Sequence, residues 1–245
     1  MNHLFDVMKN AVATYTKYTS MIIFFSIPFI IALLMPTFSP APVFSALGGY
    51  FLRSGSIPEL SNADILLIIV VSAVSLALLS LALVAVNLVV KASRTRTKVS
   101  AEALRNLGKY TLTVFGIFAF VKVMETLLLM YTASSGLPEL PVFLLSFIAS
   151  LGLFYAAPAV VLEEKKPAPA VVSSFKHVFR KPLDFILWLV VAFVLLAAVS
   201  SLSFTMFADT GMRQGFTIIV NSLFILPFLV VLQAHIYLMK YTIVR

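Results

Sequence analysis

The sequence lacks cysteine altogether and has few charged residues. The absence of cysteine excludes disulfide bonds, thiolate metal sites and cysteine nucleophiles. Only 11% of the 245 residues are charged, against about 25% in ordinary soluble domains, whereas 61% are hydrophobic. The mean hydropathy of +1.04 belongs to a chain with too little polar surface to stay in solution as a compact particle. A soluble enzyme is therefore excluded.

Six apolar runs are each long enough to cross a lipid bilayer as a helix. A hydrocarbon core about 30 Å thick requires roughly 20 residues at 1.5 Å per residue. The sequence thus predicts an all-α polytopic integral membrane protein with a single transmembrane domain over residues 1–245. The first run contains Pro28 and follows a long polar lead, so we expect it to be retained; a cleaved signal peptide is the alternative. The six predicted spans are Tyr18–Met35, Ile65–Val90, Thr111–Tyr131, Val142–Leu162, Leu183–Phe207 and Phe216–Tyr241.

Lysine and arginine are distributed unevenly between the two sides of this predicted arrangement. Fifteen of the 18 Lys and Arg residues fall in the N-terminal segment, the second and fourth loops and the C-terminus. The other side has only Arg53 and Arg213. Because positively charged loops stay in the cytoplasm, we predict a multi-pass protein of the cell membrane with both termini cytoplasmic. The net charge of +8 then attracts anionic lipid headgroups, and nucleic-acid binding is not expected.

Short motifs recur at equivalent places along the chain. Pro58-Glu59-Leu60 and Pro138-Glu139-Leu140 precede the second and fourth spans, and a Lys-Tyr-Thr tripeptide opens the first and third. We predict three transmembrane hairpins, each preceded by a cytoplasmic interfacial amphipathic helix, as repeats over 1–90, 91–162 and 163–245. Chance similarity in a biased sequence is the alternative. The apolar positions of the three amphipathic segments are Leu4, Phe5, Met8 and Val12; Val99, Leu104 and Leu107; and Val171, Val172, Phe175 and Phe179.

One stretch of sequence resembles a known family. It runs Ala157-Pro158-Ala159-Val160-Val161-Leu162-Glu163-Glu164, then Pro167, Ala170 and Ser173-Ser174-Phe175, before the next apolar run. This pattern is similar to one in the six-helix membrane domain attached to some bacterial glycerophosphodiester phosphodiesterases, and in its stand-alone bacterial and archaeal relatives. The resemblance implies a stand-alone polytopic domain without a catalytic barrel, and it assigns no functional residue.

Lys122 and Glu125 are the most unusual residues, because both lie within the third predicted span. A charge at the centre of a transmembrane helix costs about 2.5–3.5 kcal/mol on insertion scales, so such residues tend to be paired or to face a cavity. Their spacing of three residues puts them on one face of a helix, where they can meet. We take the pair as a candidate intramembrane polar site; a self-neutralised structural pair is the alternative.

Asn87, Gln233 and His235 are secondary polar candidates near the inner ends of the second and sixth spans. Interhelical hydrogen bonding accounts for all three. Asp64 and Asp184 are expected to lie at helix starts. The metal motif His-Glu-x-x-His, the nucleophile elbow and the nucleotide-binding loops are all missing, so we predict no metal, no cofactor and no catalytic residues. The adjacent acids Glu163 and Glu164 are expected to be solvated in the basic fourth loop.

These observations leave three classes of function open. The first is a non-catalytic membrane scaffold or partner subunit that interacts with lipid or with other membrane proteins. The second is a small transporter or exporter permease, which needs a separate ATPase as its partner because the chain has no nucleotide-binding motif. The third is a lipid-handling enzyme or insertase that uses Lys122 to draw negative charge into the membrane. The scaffold or partner subunit is the prediction.

Overall fold

A computed structural model of the chain describes residues 2–46, 48–52, 61–95, 101–135 and 140–239, and it leaves out the side chains of residues 2–4, 46, 95, 101–104 and 133. In this part, six helical segments are long and apolar enough to cross a membrane, which confirms a helical multi-pass membrane protein. Arg53, Val99 and most of the two Pro-Glu-Leu motifs lie outside the described residues. The six segments are Thr19–Phe38, Asn62–Arg94, Arg105–Thr132, Leu140–Glu163, Pro182–Met206 and Thr210–Leu238.

Ten α-helices make up most of the described chain. A 3₁₀ turn, Met35–Phe38, extends the second of them, and a π-helical turn, Asn221–Ile225, joins the last two. The helices are α1 (Asn2–Lys17), α2 (Thr19–Leu34), α3 (Asn62–Thr95), α4 (Ala101–Ser135), α5 (Leu140–Phe154), α6 (Ala156–Glu163), α7 (Pro167–Arg180), α8 (Pro182–Met206), α9 (Thr210–Val220) and α10 (Leu226–Leu238).

Helices α3 and α4 are much longer than their predicted spans. The 35 residues of α4 extend about 52 Å at 1.5 Å per residue, well beyond a bilayer core of about 30 Å. The second predicted interfacial helix is therefore not a separate element, because no proline interrupts the helix between residues 101 and 111. Helix α3 begins at a reciprocal cap in which Ser61 and Asp64 exchange hydrogen bonds, which confirms Asp64 as a helix-start residue.

The fourth and sixth spans are each interrupted near a proline. The fourth breaks at Tyr155, three residues before Pro158, so that α5 and α6 are separate helices. In the sixth, the N–H of Leu226 bonds to the carbonyl of Asn221 five residues earlier, one residue before Pro227. A proline has no N–H to donate to the carbonyl four residues before it, and a break or a π-turn accommodates the freed backbone.

The loop between the first and second spans contains a short β-hairpin, which the all-α prediction did not include. Strands β1 (Val43–Ala46) and β2 (Gly49–Leu52) pair antiparallel. The hydroxyl of Tyr50 donates to the side-chain carbonyl of Gln214 on α9 and so ties the hairpin to that helix. Gly48, in the turn, has φ +78°, and a Cβ there would lie 2.4 Å from the side-chain nitrogen of Asn221. The close approach and the positive φ both require glycine at this position.

The buried core lies towards one end of the bundle. In α3 it covers most residues from Ser80 to Ala92, and in α10 nearly every residue from Leu229 onwards. The same end carries the lysines and arginines of the inner loops: Lys91 bonds to Glu164 at 2.7 Å, and Lys17 and Arg94 line one pocket. We call this the basic end. The other halves of α3, α4, α5 and α8 are largely exposed.

Helices α1 and α7 each pack one side against the bundle. Helix α1 packs along α10 through Val7, Ala11 and Thr14, while Phe5 and Val12 are exposed. Helix α7 packs against α5 and α6 through Ala170, Ser174 and His177, while Val172 and Phe179 are exposed. The packed sides carry small and hydrogen-bonding side chains, which allow helices to approach closely. The placement of both helices at the membrane interface stays a prediction.

Candidate functional site

Lys122 and Glu125 form an ion pair on α4, with Lys122 exposed and Glu125 partly buried. Their charged atoms are 3.5 Å apart, which confirms that the spacing of three residues brings the two side chains together. The side chain of Lys122 is 70% exposed and that of Glu125 is 21% exposed. In the described part of the chain, neither residue has an ion-pair or hydrogen-bond partner on another helix. The pair therefore holds no two helices together within this chain.

The half of α4 that carries this pair is apolar and largely uncovered. Between residues 118 and 131, no side chain of α4 is buried, and the same holds for residues 140–150 of α5. We call the surface of residues 118–131 the outer α4 face. As a whole, helix α4 packs against α3, α5, α6 and α7. Because each residue turns the helix by about 100°, the large exposed apolar side chains lie on the side of α4 away from the pair. They are Phe120, Val123, Met124, Leu127, Met130 and Tyr131.

The secondary candidates occupy other places in the fold and do not join Lys122. The side-chain nitrogen of Asn87 donates to the carbonyl of Leu83 in its own helix, so this bond is not the interhelical one that we expected. Gln233 does cross between helices, because its side-chain nitrogen donates to the carbonyl of Phe154. His235 donates from Nδ1 to the carbonyl of Val231, since a carbonyl oxygen can only accept.

The break between α5 and α6 is repaired by side chains of two other helices. The hydroxyl of Ser174 on α7 accepts from the N–H of Tyr155 at 2.8 Å and donates to the carbonyl of Leu151 at 3.1 Å. It therefore bridges the two backbone groups that would bond directly in an uninterrupted helix. Pro158 leaves the carbonyl of Phe154 without its usual donor, and Gln233 supplies one.

Three aromatic rings are packed together beside this break, where α6, α7 and α10 meet. The ring of His177 lies 4.7 Å from that of Tyr155 and 5.3 Å from that of Tyr237. The hydroxyl of Tyr237 donates to Glu163, whose carboxylate is also 2.7 Å from the ammonium of Lys165. The prediction that Glu163 is solvated was therefore wrong: its side chain is 8% exposed. Glu163 ends α6 at the point where α10 places the hydroxyl of Tyr237 within hydrogen-bond distance of its carboxylate.

Neither Ser174 nor the unit of three packed rings could be recognised from the sequence alone. The signal was present in part, because Pro158 and Ser173-Ser174-Phe175 belong to the stretch that carries the family resemblance. The contacts explain that stretch as a packing unit. A Cβ at Gly152 would lie 2.4 Å from the ring of Phe175, so α5 and α7 approach closely only with glycine at this position. The unit positions helices. Among the described residues, His, Asp and Glu form no cluster of three that could hold a metal ion.

Glu164 links three helices at the basic end. It accepts a hydrogen bond from Lys91 at 2.7 Å, and the ammonium of Lys91 also lies 5.5 Å from the centre of the Tyr110 ring. The hydrogen bond from Lys91, the charge of Lys91 and a further hydrogen bond from Tyr110 lower the pKa of Glu164. The side chain of Glu164 is 63% exposed, so this ion pair contributes little to stability in water.

No family model, curated protein or solved structure matches this chain. The resemblance to the membrane domain of bacterial glycerophosphodiester phosphodiesterases therefore stays a prediction.

Proposed function

We propose that this protein is a non-catalytic partner subunit of a membrane assembly, and that the outer α4 face docks a transmembrane helix of another protein. The observation that carries the proposal is the lateral exposure of Lys122, the lysine of this ion pair. A transporter or an enzyme places its charged residues inside the bundle, whereas a docking subunit places them on the surface that its partner covers.

Charge complementarity defines the partner. Lys122 is 70% exposed and has a single carboxylate at 3.5 Å, so its ammonium has room for a second anionic partner. A transmembrane helix with a carboxylate at the same depth neutralises it and removes the pair from lipid. A charge at the centre of a lone helix costs about 2.5–3.5 kcal/mol. This cost is the upper limit of the stabilisation that docking provides by neutralising Lys122. Phe118, one turn before Lys122, and Leu129, one turn after Glu125, lie on the same face and are partly exposed. They supply van der Waals contact, on which association in lipid depends.

The alternative functions receive less support from the geometry. A transporter that uses Lys122 needs a water-accessible cavity around it, and an insertase needs the same. The pocket described below is lined by residues of α1, α3 and α10, and none of α4. A permease that works with a separate ATPase stays a prediction without a supporting contact in the described part of the chain.

The finer topology belongs to the same proposal. We place the protein in the cell membrane with the basic end in the cytoplasm, and we arrange the spans as three hairpins. Helix α1, which precedes the first span, and α7, which precedes the fifth, act as the interfacial helices of the first and third repeats. Their exposed residues Phe5, Val172 and Phe179 support this placement, because a helix at the interface turns such side chains toward acyl chains.

Site-specific photo-crosslinking in native membranes tests the proposal. A photoreactive residue replaces Val123, which follows Lys122 in the sequence and is 56% exposed. In a control, it replaces Phe193 of α8, which is 74% exposed. We expect a discrete adduct from position 123 and none from position 193. The adduct should disappear in the background Lys122→Met, Glu125→Gln. Equal crosslinking at both positions, or an adduct that survives the double substitution, contradicts the proposal. An adduct of twice the chain mass identifies the partner as a second copy.

A further inference from the structure

A polar pocket of about 270 Å³ opens at the basic end, between α1, the end of α3 and α10. It has room for several water molecules or for one small polar group. This pocket is separate from the outer α4 face and takes no part in the proposed docking. Its lining residues are Asn10, Ala13, Thr14, Lys17, Ser93, Arg94 and His235.

The charge of this pocket is positive. Lys17 and Arg94 both line it, and within the described part of the chain no carboxylate does. Each cation lies in the last turn of its helix, Lys17 in α1 and Arg94 in α3, where the partial negative charge of the helix end offsets some of the repulsion between them. Glu164, an acid at the same end, is bonded to Lys91 and does not line the pocket. Two full positive charges therefore face the same small volume.

The floor of the pocket is polar and nearly buried. Thr14 is 8% exposed and His235 is 6% exposed, and the hydroxyl of Thr14 lies 3.2 Å from Nε2 of His235. Nδ1 of His235 donates a hydrogen bond to the carbonyl of Val231, so Nε2 of the neutral ring accepts a hydrogen bond from the Thr14 hydroxyl. This bond holds the floor in place and leaves Lys17, Arg94, Asn10 and Ser93 as donors toward the opening.

The position of the pocket along the bundle matches the level of lipid headgroups. Lys17 lies two residues before the first span, which begins at Thr19, and Arg94 ends the second. Basic pockets between transmembrane helices at this level bind anionic headgroups. On the outer side of α1, Phe5 and Val12 are exposed, and they offer an apolar surface to acyl chains.

We infer that this pocket binds the phosphate group of an anionic membrane lipid. Phosphate accepts several hydrogen bonds at once, and a guanidinium together with an ammonium is the side-chain set that binds it best. A free phosphate ester has the same chemistry, and the test distinguishes the two sources.

The test compares two double variants that remove equal charge. Lys17→Gln with Arg94→Gln removes the cations of the pocket. Lys166→Gln with Lys176→Gln removes two exposed cations of the same end that lie outside it. Each protein is placed in phosphatidylcholine nanodiscs with or without a minor fraction of phosphatidic acid, and bound phosphatidic acid is measured by native mass spectrometry. All four cations are solvent-exposed or at the pocket rim, so unfolding midpoints in pure phosphatidylcholine should match the original protein.

We expect the original chain and the Lys166, Lys176 variant to retain phosphatidic acid, and the pocket variant to lose affinity by about tenfold or more for each cation removed. Arg94→Lys, which keeps the charge but not the planar donor pair, should fall between them. Equal losses in the two double variants indicate a general surface attraction and overturn the inference, as does an absence of binding. If inorganic phosphate or glycerol phosphate displaces the lipid from the original chain, the natural ligand is a soluble phosphate ester bound at the same pocket.

Discussion

Replacing Ser174 by alanine should weaken this fold. The hydroxyl is fully buried and stands between the N–H of Tyr155 and the carbonyl of Leu151, at the point where the fourth span breaks. Ser174→Ala leaves both backbone groups without their partner in a region that water does not reach. Alanine adds no strain of its own, because Ser174 already lies in a helix.

The magnitude follows from the two groups that lose their partner. A buried donor without an acceptor costs about 1–3 kcal/mol, and an under-satisfied carbonyl costs somewhat less. Direct closure of the bond from Tyr155 to Leu151 would recover part of this loss, but it requires α5 and α6 to straighten against α7. We therefore expect Ser174→Ala to lower the free energy of unfolding by about 2 kcal/mol.

Ser150→Ala is the matched control. Ser150 is an exposed residue of α5 whose hydroxyl bonds within its own helix to the carbonyl of Phe147, so its loss should change stability by less than about 0.5 kcal/mol. Unfolding is followed in mixed detergent micelles, and hydrogen exchange reports the Tyr155 amide separately. Faster exchange at Tyr155 together with the lower stability is the expected result. If the two variants are equally stable and the Tyr155 amide stays protected, the bridging role of Ser174 is refuted.

Three further changes have defined outcomes. Gly48→Ala should cost at least about 1–2 kcal/mol from its positive φ alone, whereas Gly116→Ala, which meets no atom within 4 Å, should not destabilise; thermal unfolding in detergent compares them. Glu164→Gln should cost less than about 1 kcal/mol at neutral pH. Because its partner lysine lowers the pKa of Glu164, this stabilisation exists above about pH 4.5 and is lost as the pH falls through the lower folded value, so the two unfolding curves should converge in acid. Lys122→Met with Glu125→Gln should leave the isolated chain at least as stable as before, and a large loss of folded yield would restore a structural role for the pair.

The spans were predictable because length and hydropathy decide them locally. Leu183–Phe207, for example, differs by one residue at each end from the helix Pro182–Met206. The break at Tyr155 depends instead on contacts that are distant in the sequence. Pro158 marks a weak point, but the donors that stabilise the break come from Ser174 and Gln233, 23 and 79 residues away from the carbonyls they bind.

The candidate site likewise combines features that the local sequence decides with features that distant contacts decide. Helical geometry alone predicted that Lys122 and Glu125 meet, and they do. Whether their common face points into the bundle or out of it depends on how α4 rotates against α3 and α5, and no local pattern specifies that rotation. For Glu163 the local pattern was misleading. The sequence predicted a solvated acid, but α10 places the hydroxyl of Tyr237 within hydrogen-bond distance of its carboxylate.

The mass of the protein in its own membrane tests the central claim most directly. Native mass spectrometry of the chain released from vesicles of its host membrane should show it in a complex heavier than the 26.9 kDa monomer. The variant Lys122→Met, Glu125→Gln should appear as the monomer. A monomeric original chain, or the same complex in both proteins, would show that the outer α4 face docks nothing.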